Sequence, residues 1–174
     1  MKTEYRADGI GAPLPRIEDL RLVTGKGNYA SDNFPEDLCH AVILRSPHAH
    51  ARIRAIDTSK ATAAPGVLAV LTGKDAAADA IGAIPHNPDW QGPPDAELRL
   101  PEGFDVYLTK NTPLPTEIVR YVGEGIAMIV AETAAGAADA AELVEVDYEL
   151  LPAVTDSILS MKMSAPQIWP DCPS

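Results

Sequence analysis

From residue 38 to residue 150 the apolar positions fall in short bursts, some strictly alternating and some continuous, with turn-forming residues between them. Leu38-Cys-His-Ala-Val-Ile-Leu-Arg45 reads as a first strand, and residues 51–58 alternate from side to side and read as a second. Ser46-Pro-His-Ala-His50 joins these two as a tight loop or a bulged hairpin. Asp57, Thr58 or Ser59 can cap a short helix that Pro65-Gly66 stops. Val67-Leu-Ala-Val-Leu-Thr72 is a short run of buried-strand type. Further on, residues 118–122, a Gly123-Glu124-Gly125 turn and residues 126–131 read together as a β-hairpin. Thr133 can cap a helix over residues 134–143. Residues 144–150 then close the unit as a strand with Glu145, Asp147 and Glu149 on one side.

Two stretches lack this patterning. Residues 9–37 are rich in glycine, proline and charge, and read as loop with short extended pieces ending in a turn at Asn33-Phe-Pro-Glu-Asp37. Residues 74–117 hold seven of the sixteen prolines and read as a long surface excursion, with a little helix near residues 75–80. Such an excursion is either a partner-binding arm or mobile. No internal repeat emerges. The order of elements predicts an α+β domain: a mixed sheet of about six short strands, two or three helices and the long proline-rich excursion. The organisation expected is an extended N-terminal segment (1–37), the domain proper (38–156, including the 74–117 excursion) and a linker (157–174).

Composition narrows the chemistry. Hydrophobic residues make up 46% of 174 but aromatics only 5%, so the interior must be built from Ala, Val, Ile and Leu packed closely. A net charge of −11 disfavours a polyanionic partner, because nucleic-acid binding rests on neutralising phosphates. No apolar run approaches the ~20 residues that cross a bilayer, and the N-terminal stretch lacks the apolar centre of a signal peptide. The expected setting is the cytoplasm, with neither nucleic acid nor membrane as partner. Cys39 and Cys172 stand far apart without a CxxC, so this chain alone builds neither an iron-sulfur cluster nor a zinc knuckle.

Each motif with a chemical look has a plainer reading. His48-Ala-His50 beside a strand has the form of a metal site, yet alternation would place His50 on the same face as Arg52, Arg54 and Ile56. A dication there would lie within ~7 Å of a guanidinium, at a cost on the order of a few kcal/mol, and no third ligand is spaced to meet the pair. Gly25-Lys-Gly-Asn-Tyr-Ala30 fits G-x-G-x-x-A, but Ser31-Asp-Asn-Phe-Pro35 cannot continue the helix that a dinucleotide fingerprint must open. Gly123-Glu-Gly125 reads as a turn between strands, and Thr72-Gly-Lys-Asp75 lacks the upstream glycine of a phosphate loop. Met161-Lys162-Met163 has the form of a biotin-attachment turn, but the eleven residues after Met163 offer no further strand. Glu145, Asp147 and Glu149 along a flat strand do not wrap a calcium ion. They are expected instead to neighbour Arg52 and Arg54 across a strand pair.

Four ordered segments carry a more specific signal: Arg16-Ile-Glu-Asp-Leu-Arg-Leu-Val-Thr-Gly-Lys-Gly-Asn-Tyr-Ala-Ser-Asp32, Arg45-Ser-Pro-His-Ala-His-Ala-Arg-Ile-Arg-Ala-Ile-Asp-Thr-Ser59, Pro65-Gly-Val-Leu-Ala-Val-Leu-Thr-Gly-Lys-Asp75 and Ala137-Ala-Asp-Ala-Ala-Glu-Leu-Val-Glu-Val-Asp-Tyr-Glu-Leu-Leu-Pro152. Together they resemble the N-terminal α/β hammerhead domain of molybdenum hydroxylase large subunits: xanthine dehydrogenase, aldehyde oxidase and, most strongly, aerobic carbon monoxide dehydrogenase. The resemblance covers residues 10–156 apart from the proline-rich arm. Two turns depart from the pattern, Pro35-Glu36 for Pro-Gly and Gly123-Glu-Gly125 for Gly-Glu-Pro or Gly-Gln-Pro. The first implies a type I turn.

In the resembled family the molybdopterin cradle and the glutamate base lie in later domains. The resemblance therefore implies a scaffold with no catalytic, cofactor-binding or metal-binding residue of its own. Molybdopterin, iron-sulfur clusters and FAD would belong to the parent complex. The implied partners are a molybdopterin-binding polypeptide, an iron-sulfur subunit and an FAD subunit. Ile168 and Trp169 among prolines look made to pack on something beyond residue 174, as in a separately encoded subunit, an excised piece or a truncated relative. The rival expectation is a stand-alone binding or assembly module of the same fold with no redox role.

Overall fold

The computed structural model describes residues 16–84, 107 and 109–172. Most of the proline-rich excursion, including Trp90 and Phe104, lies outside the described residues. The chain falls into two compact units, Met1–Leu38 and Cys39–Ser174.

In the first unit a short helix, α1 (Asp19–Val23), stands where loop is expected. The signals are local. Asp19 accepts from the Arg16 amide at one end. At the other, Gly25 takes φ +71°, with Gly25 N–H donating to Leu22 O and Lys26 N–H to Arg21 O, the paired bonds that close a helix on a left-handed glycine. Gly25 thus ends a helix where a dinucleotide fingerprint would open one. After a 3₁₀ turn at Ala30–Asp32, Leu38 N–H donates to Pro35 O at 3.2 Å, with no positive φ at Glu36 or Asp37. This is the turn that the Pro35-Glu36 dipeptide implies.

The second unit holds β1 (His40–Arg45), β2 (Ala51–Asp57), α2 (Ser59–Thr62), β3 (Val67–Thr72), α3 (Gly73–Ala78), β4 (Ile118–Val119), β5 (Gly125–Ala131), α4 (Ala134–Ala141), β6 (Glu145–Leu150) and α5 (Ser157–Ser160). The six strands do not make one mixed sheet. They form two antiparallel three-stranded sheets, β1-β5-β3 and β4-β2-β6.

Neither expected hairpin exists: β1 pairs with β5 while β2 pairs with β4 and β6, so residues 46–50 and 120–124 both cross from one sheet to the other. Alternation fixes which face of a strand is buried but not which strand lies beside it. Here the choice lets Ile126 of β5 meet Ala51, Ile53 and Val119 of the other sheet in one buried cluster.

A second cluster lies under α4. Ala140 and Ala141 approach Ala127 and Ile129 of β5, with Ala61 of α2 and Val144 beside them. Small residues on both sides let the helix lie close to the sheet, as a chain poor in aromatics requires. Leu44, Ile56 and Val146 border both clusters and make the interior continuous. Thr133 caps α4 by accepting from Gly136 N–H at 3.0 Å. Thr72 and Asp75 cap α3 through Thr72 N–H and Oγ–H bonds of 2.7 and 2.6 Å to Asp75 Oδ2, and these hold the Asp75 carboxyl below its usual range. Gly73 is required here, because a Cβ would fall 2.3 Å from Pro115 O.

Candidate functional site

The two crossings between the sheets meet at Ser46. Its N–H donates to Glu124 O and its C=O accepts from Gly123 N–H, both at 2.8 Å. Arg45 Nη1 adds a bond of 2.8 Å to Gly123 O. The β1–β5 register breaks at Leu44/Arg45, where each chain leaves its sheet. Gly123 turns with φ +89°, a conformation that costs a side chain about 1–2 kcal/mol. The Glu124 carboxylate also accepts from Arg120 N–H, closing the loop from within.

The two histidines belong to this joint. His50 is buried, and its Nδ1–H donates to Pro152 O at 2.7 Å while its carbonyl accepts from Leu151 N–H. It therefore does not lie on the arginine face, contrary to the alternation read from the sequence. His48 sets its ring edge-on to Tyr148, centroids 4.9 Å apart, and Ser46 Oγ bonds both the His48 amide and the His48 carbonyl at 3.0 Å. The Tyr148 hydroxyl is buried without a well-formed hydrogen bond, and burial pushes its pKa up, with the nearby Ser46 hydroxyl opposing the shift. The rings of the HxH pair are used separately, one for a hydrogen bond and one for packing.

Alternation along β2 also breaks. A register irregularity between Ile53 and Ala55 leaves Arg54 as the extra residue, and Ile56 turns inward to the core instead of sharing the face of Arg52. The expected neighbours do meet. Arg52 Nε and Arg54 Nε lie 3.8 and 3.5 Å from Glu149 Oε2. At the other end Asp57 sits opposite Glu145, an unfavourable like-charge pair that Lys60 relieves by donating to Glu145. That bond raises the Lys60 pKa, and the Ser59 hydroxyl and amide lower that of Asp57.

The sequence did not single out Arg120. Its guanidinium lies 3.9 Å over the Trp169 ring, so the tail finds part of its packing on this domain, and Ile168 and Trp169 are both half-buried. Beside this stack is an open cavity of about 430 Å³ reaching Tyr107 and Lys110. Burial raises the Tyr107 pKa, with the Asp171 charge adding to it. A second cavity, about 240 Å³, lies against Arg54, Thr72 and Lys74. Lys162 is exposed on a turn after α5. Among the described residues no group of three or more His, Cys, Asp or Glu side chains is placed to hold a metal ion, and no helix is long and apolar enough to cross a membrane.

The family model for the aldehyde oxidase and xanthine dehydrogenase a/b hammerhead domain matches residues 24–91 and 99–152. The carbon monoxide dehydrogenase large chain of Afipia carboxidovorans is 38% identical over 166 residues, 95% of this chain and 18% of that protein. The nicotine 6-hydroxylase large subunit of Paenarthrobacter nicotinovorans is 39% identical over 147 residues, 84% and 16% of the two chains. Among solved structures, quinoline 2-oxidoreductase from Pseudomonas putida 86 superposes with a TM-score of 0.72 at 38% identity, over 89% of this chain and 18% of that one. A Cu,Mo carbon monoxide dehydrogenase superposes with a TM-score of 0.71, over 91% and 18%. The chain spans less than a fifth of the length of these relatives. With the family model matched over most of its length, the chain belongs to the aldehyde oxidase and xanthine dehydrogenase a/b hammerhead family.

Proposed function

We propose that this chain is the non-catalytic hammerhead portion of a molybdopterin-dependent oxidoreductase of the xanthine dehydrogenase and carbon monoxide dehydrogenase type. In this reading residues 38–156 form the scaffold, residues 157–174 lead toward the cofactor-bearing part, and molybdopterin, iron-sulfur and FAD groups are carried by partner polypeptides in the cytoplasm. The observation that carries it is the use of the polar side chains. His48, His50, Ser46, Arg52, Arg54 and Glu149 hold the joint and the sheet together.

Molybdopterin brings its own redox chemistry and asks the protein for converging donors around it. In this reading the polar groups named above are engaged in holding the two sheets, and no reaction step is assigned to them.

Co-purification tests the reading. The tagged protein, isolated from its own cells under mild conditions, should bring a molybdopterin-bearing polypeptide with flavin and iron-sulfur components in fixed stoichiometry. A stable monomer or homodimer free of all three would favour a stand-alone assembly module and overturn the proposal.

A further inference from the structure

The cavity of about 240 Å³ lies between the two sheets, lined by β2 on one side and β3 on the other. Three local features make room for it. β4 pairs with β2 only at Ala51 and Arg52, and the next bond from that segment is the last, Ile53 N–H donating to Glu117 O at 2.7 Å. β3 is an edge strand of its own sheet, so the gap opens where β2 runs past β4 and β3 has no outer neighbour. The extra residue at Arg54 bends β2 at the same place. Finally, the close approach of Gly73 to Pro115 O, which a Cβ would prevent, fixes a further wall.

The lining divides by chemistry. Val70 and Pro115 offer apolar surface, Arg54 and Lys74 positive charge, and Thr58 and Thr116 hydroxyls. Lys74 makes no ion pair among the described residues. Arg54 shares Glu149 with Arg52, one carboxylate between two guanidiniums, so positive charge is left over. Asp75, the acid in the lining, has its Oδ2 taken up by the Thr72 amide and hydroxyl. In a chain of net charge −11 this is a local reversal of sign. Apolar walls with a few convergent polar groups are the general form of a small-ligand site. A cavity of about 150 Å³ holds benzene, so this one has room for a ligand of that size or slightly larger.

We propose that the cavity binds a small carboxylate with a short aliphatic body, its oxygens held by Lys74 and Arg54 and its carbon chain against Val70 and Pro115. A phosphate ion would meet the same cations but leave the apolar wall unused. The site stands apart from the scaffold reading, since it needs no molybdopterin, flavin or iron-sulfur partner.

Amide chemical shifts of the full chain, followed by NMR during titration with butyrate, acetate, inorganic phosphate or butylamine, test it. Butyrate should move the amides of Thr58, Val70, Lys74 and Thr116 on one shared curve. It should bind at least about fivefold more tightly than acetate, because its two extra methylenes are buried. Butylamine should move none of these amides. Lys74→Met, which keeps the aliphatic stem, should weaken butyrate binding about tenfold, and Arg54→Met likewise, as loss of a charged donor requires. Both side chains are exposed, and unchanged thermal unfolding identifies folded variants. Should Arg54→Met disturb the bulge, Lys74→Met alone decides. Equal affinity for acetate and butyrate, tighter binding of phosphate, or wild-type affinity in Lys74→Met would each overturn the proposal. So would butyrate shifts that are absent or scattered over the surface without a shared curve.

Discussion

Tyr148 and Ala80 each carry a local feature with a measurable consequence. The Tyr148 ring packs against the inter-sheet cluster and His48 while its hydroxyl lacks a well-formed hydrogen bond. Removing a buried donor without a well-formed bond costs little, so Tyr148→Phe should change stability by less than about 1 kcal/mol. Its raised pKa gives a sign as well. Above about pH 10 the unfolded chain loses the phenol proton before the folded one does. The contribution is therefore complete below that pH and is lost as pH rises through the folded value. Denaturant titration across pH 9–11, an interval about the ordinary phenol value, should show a shallower alkaline decline in Tyr148→Phe than in the wild type. Equal slopes would contradict the burial of the hydroxyl. Ala80 is a non-glycine residue in the left-handed region, and Ala80→Gly should stabilise by about 0.5–1 kcal/mol. A lowered unfolding midpoint would show that the chain leaves α3 at Ala80 without strain.

At the scale of elements, caps are expected to matter more than surface ion pairs. Thr133→Ala removes the acceptor of Gly136 N–H and should cost about 1 kcal/mol. Glu149→Gln loosens two half-exposed contacts and should cost no more than about 1 kcal/mol. Chemical denaturation of the two variants side by side checks the order. The same distinction explains what the sequence disclosed. The acidic face of β6, the Thr133 cap and the meeting of Glu149 with Arg52 and Arg54 were legible because each follows from alternation or from a residue type at a fixed offset. Helix α1 was missed although Asp19 and Gly25 signalled both of its ends, because no apolar stripe accompanies them. The partition into two sheets was not legible. It depends on Ser46 bonding Gly123 and Glu124, a contact between residues almost eighty positions apart, and on Ile126 meeting Val119 across the interface. The inward turn of Ile56 was hidden for a related reason, since one extra residue at Arg54 inverts the alternation that follows.

At the scale of the molecule, the hammerhead is an arrangement for joining. Two small sheets share one core, the crossings between them are bonded to each other, and the tail begins to fold back through Trp169 on Arg120. The histidines that look most like chemistry are fixed within that joint. The acidic net charge of −11 suits a partner surface with compensating cations, because complementary fields speed and orient docking. If the hammerhead is a scaffold, as proposed, the reacting groups lie outside these 174 residues. Molybdenum and pterin content, with turnover, measured on the native assembly and on the 174-residue chain alone, tests it most directly. The native assembly should hold about one molybdenum per chain and turn over substrate, and the chain alone should do neither. Stoichiometric metal or substrate oxidation by the isolated chain would contradict it.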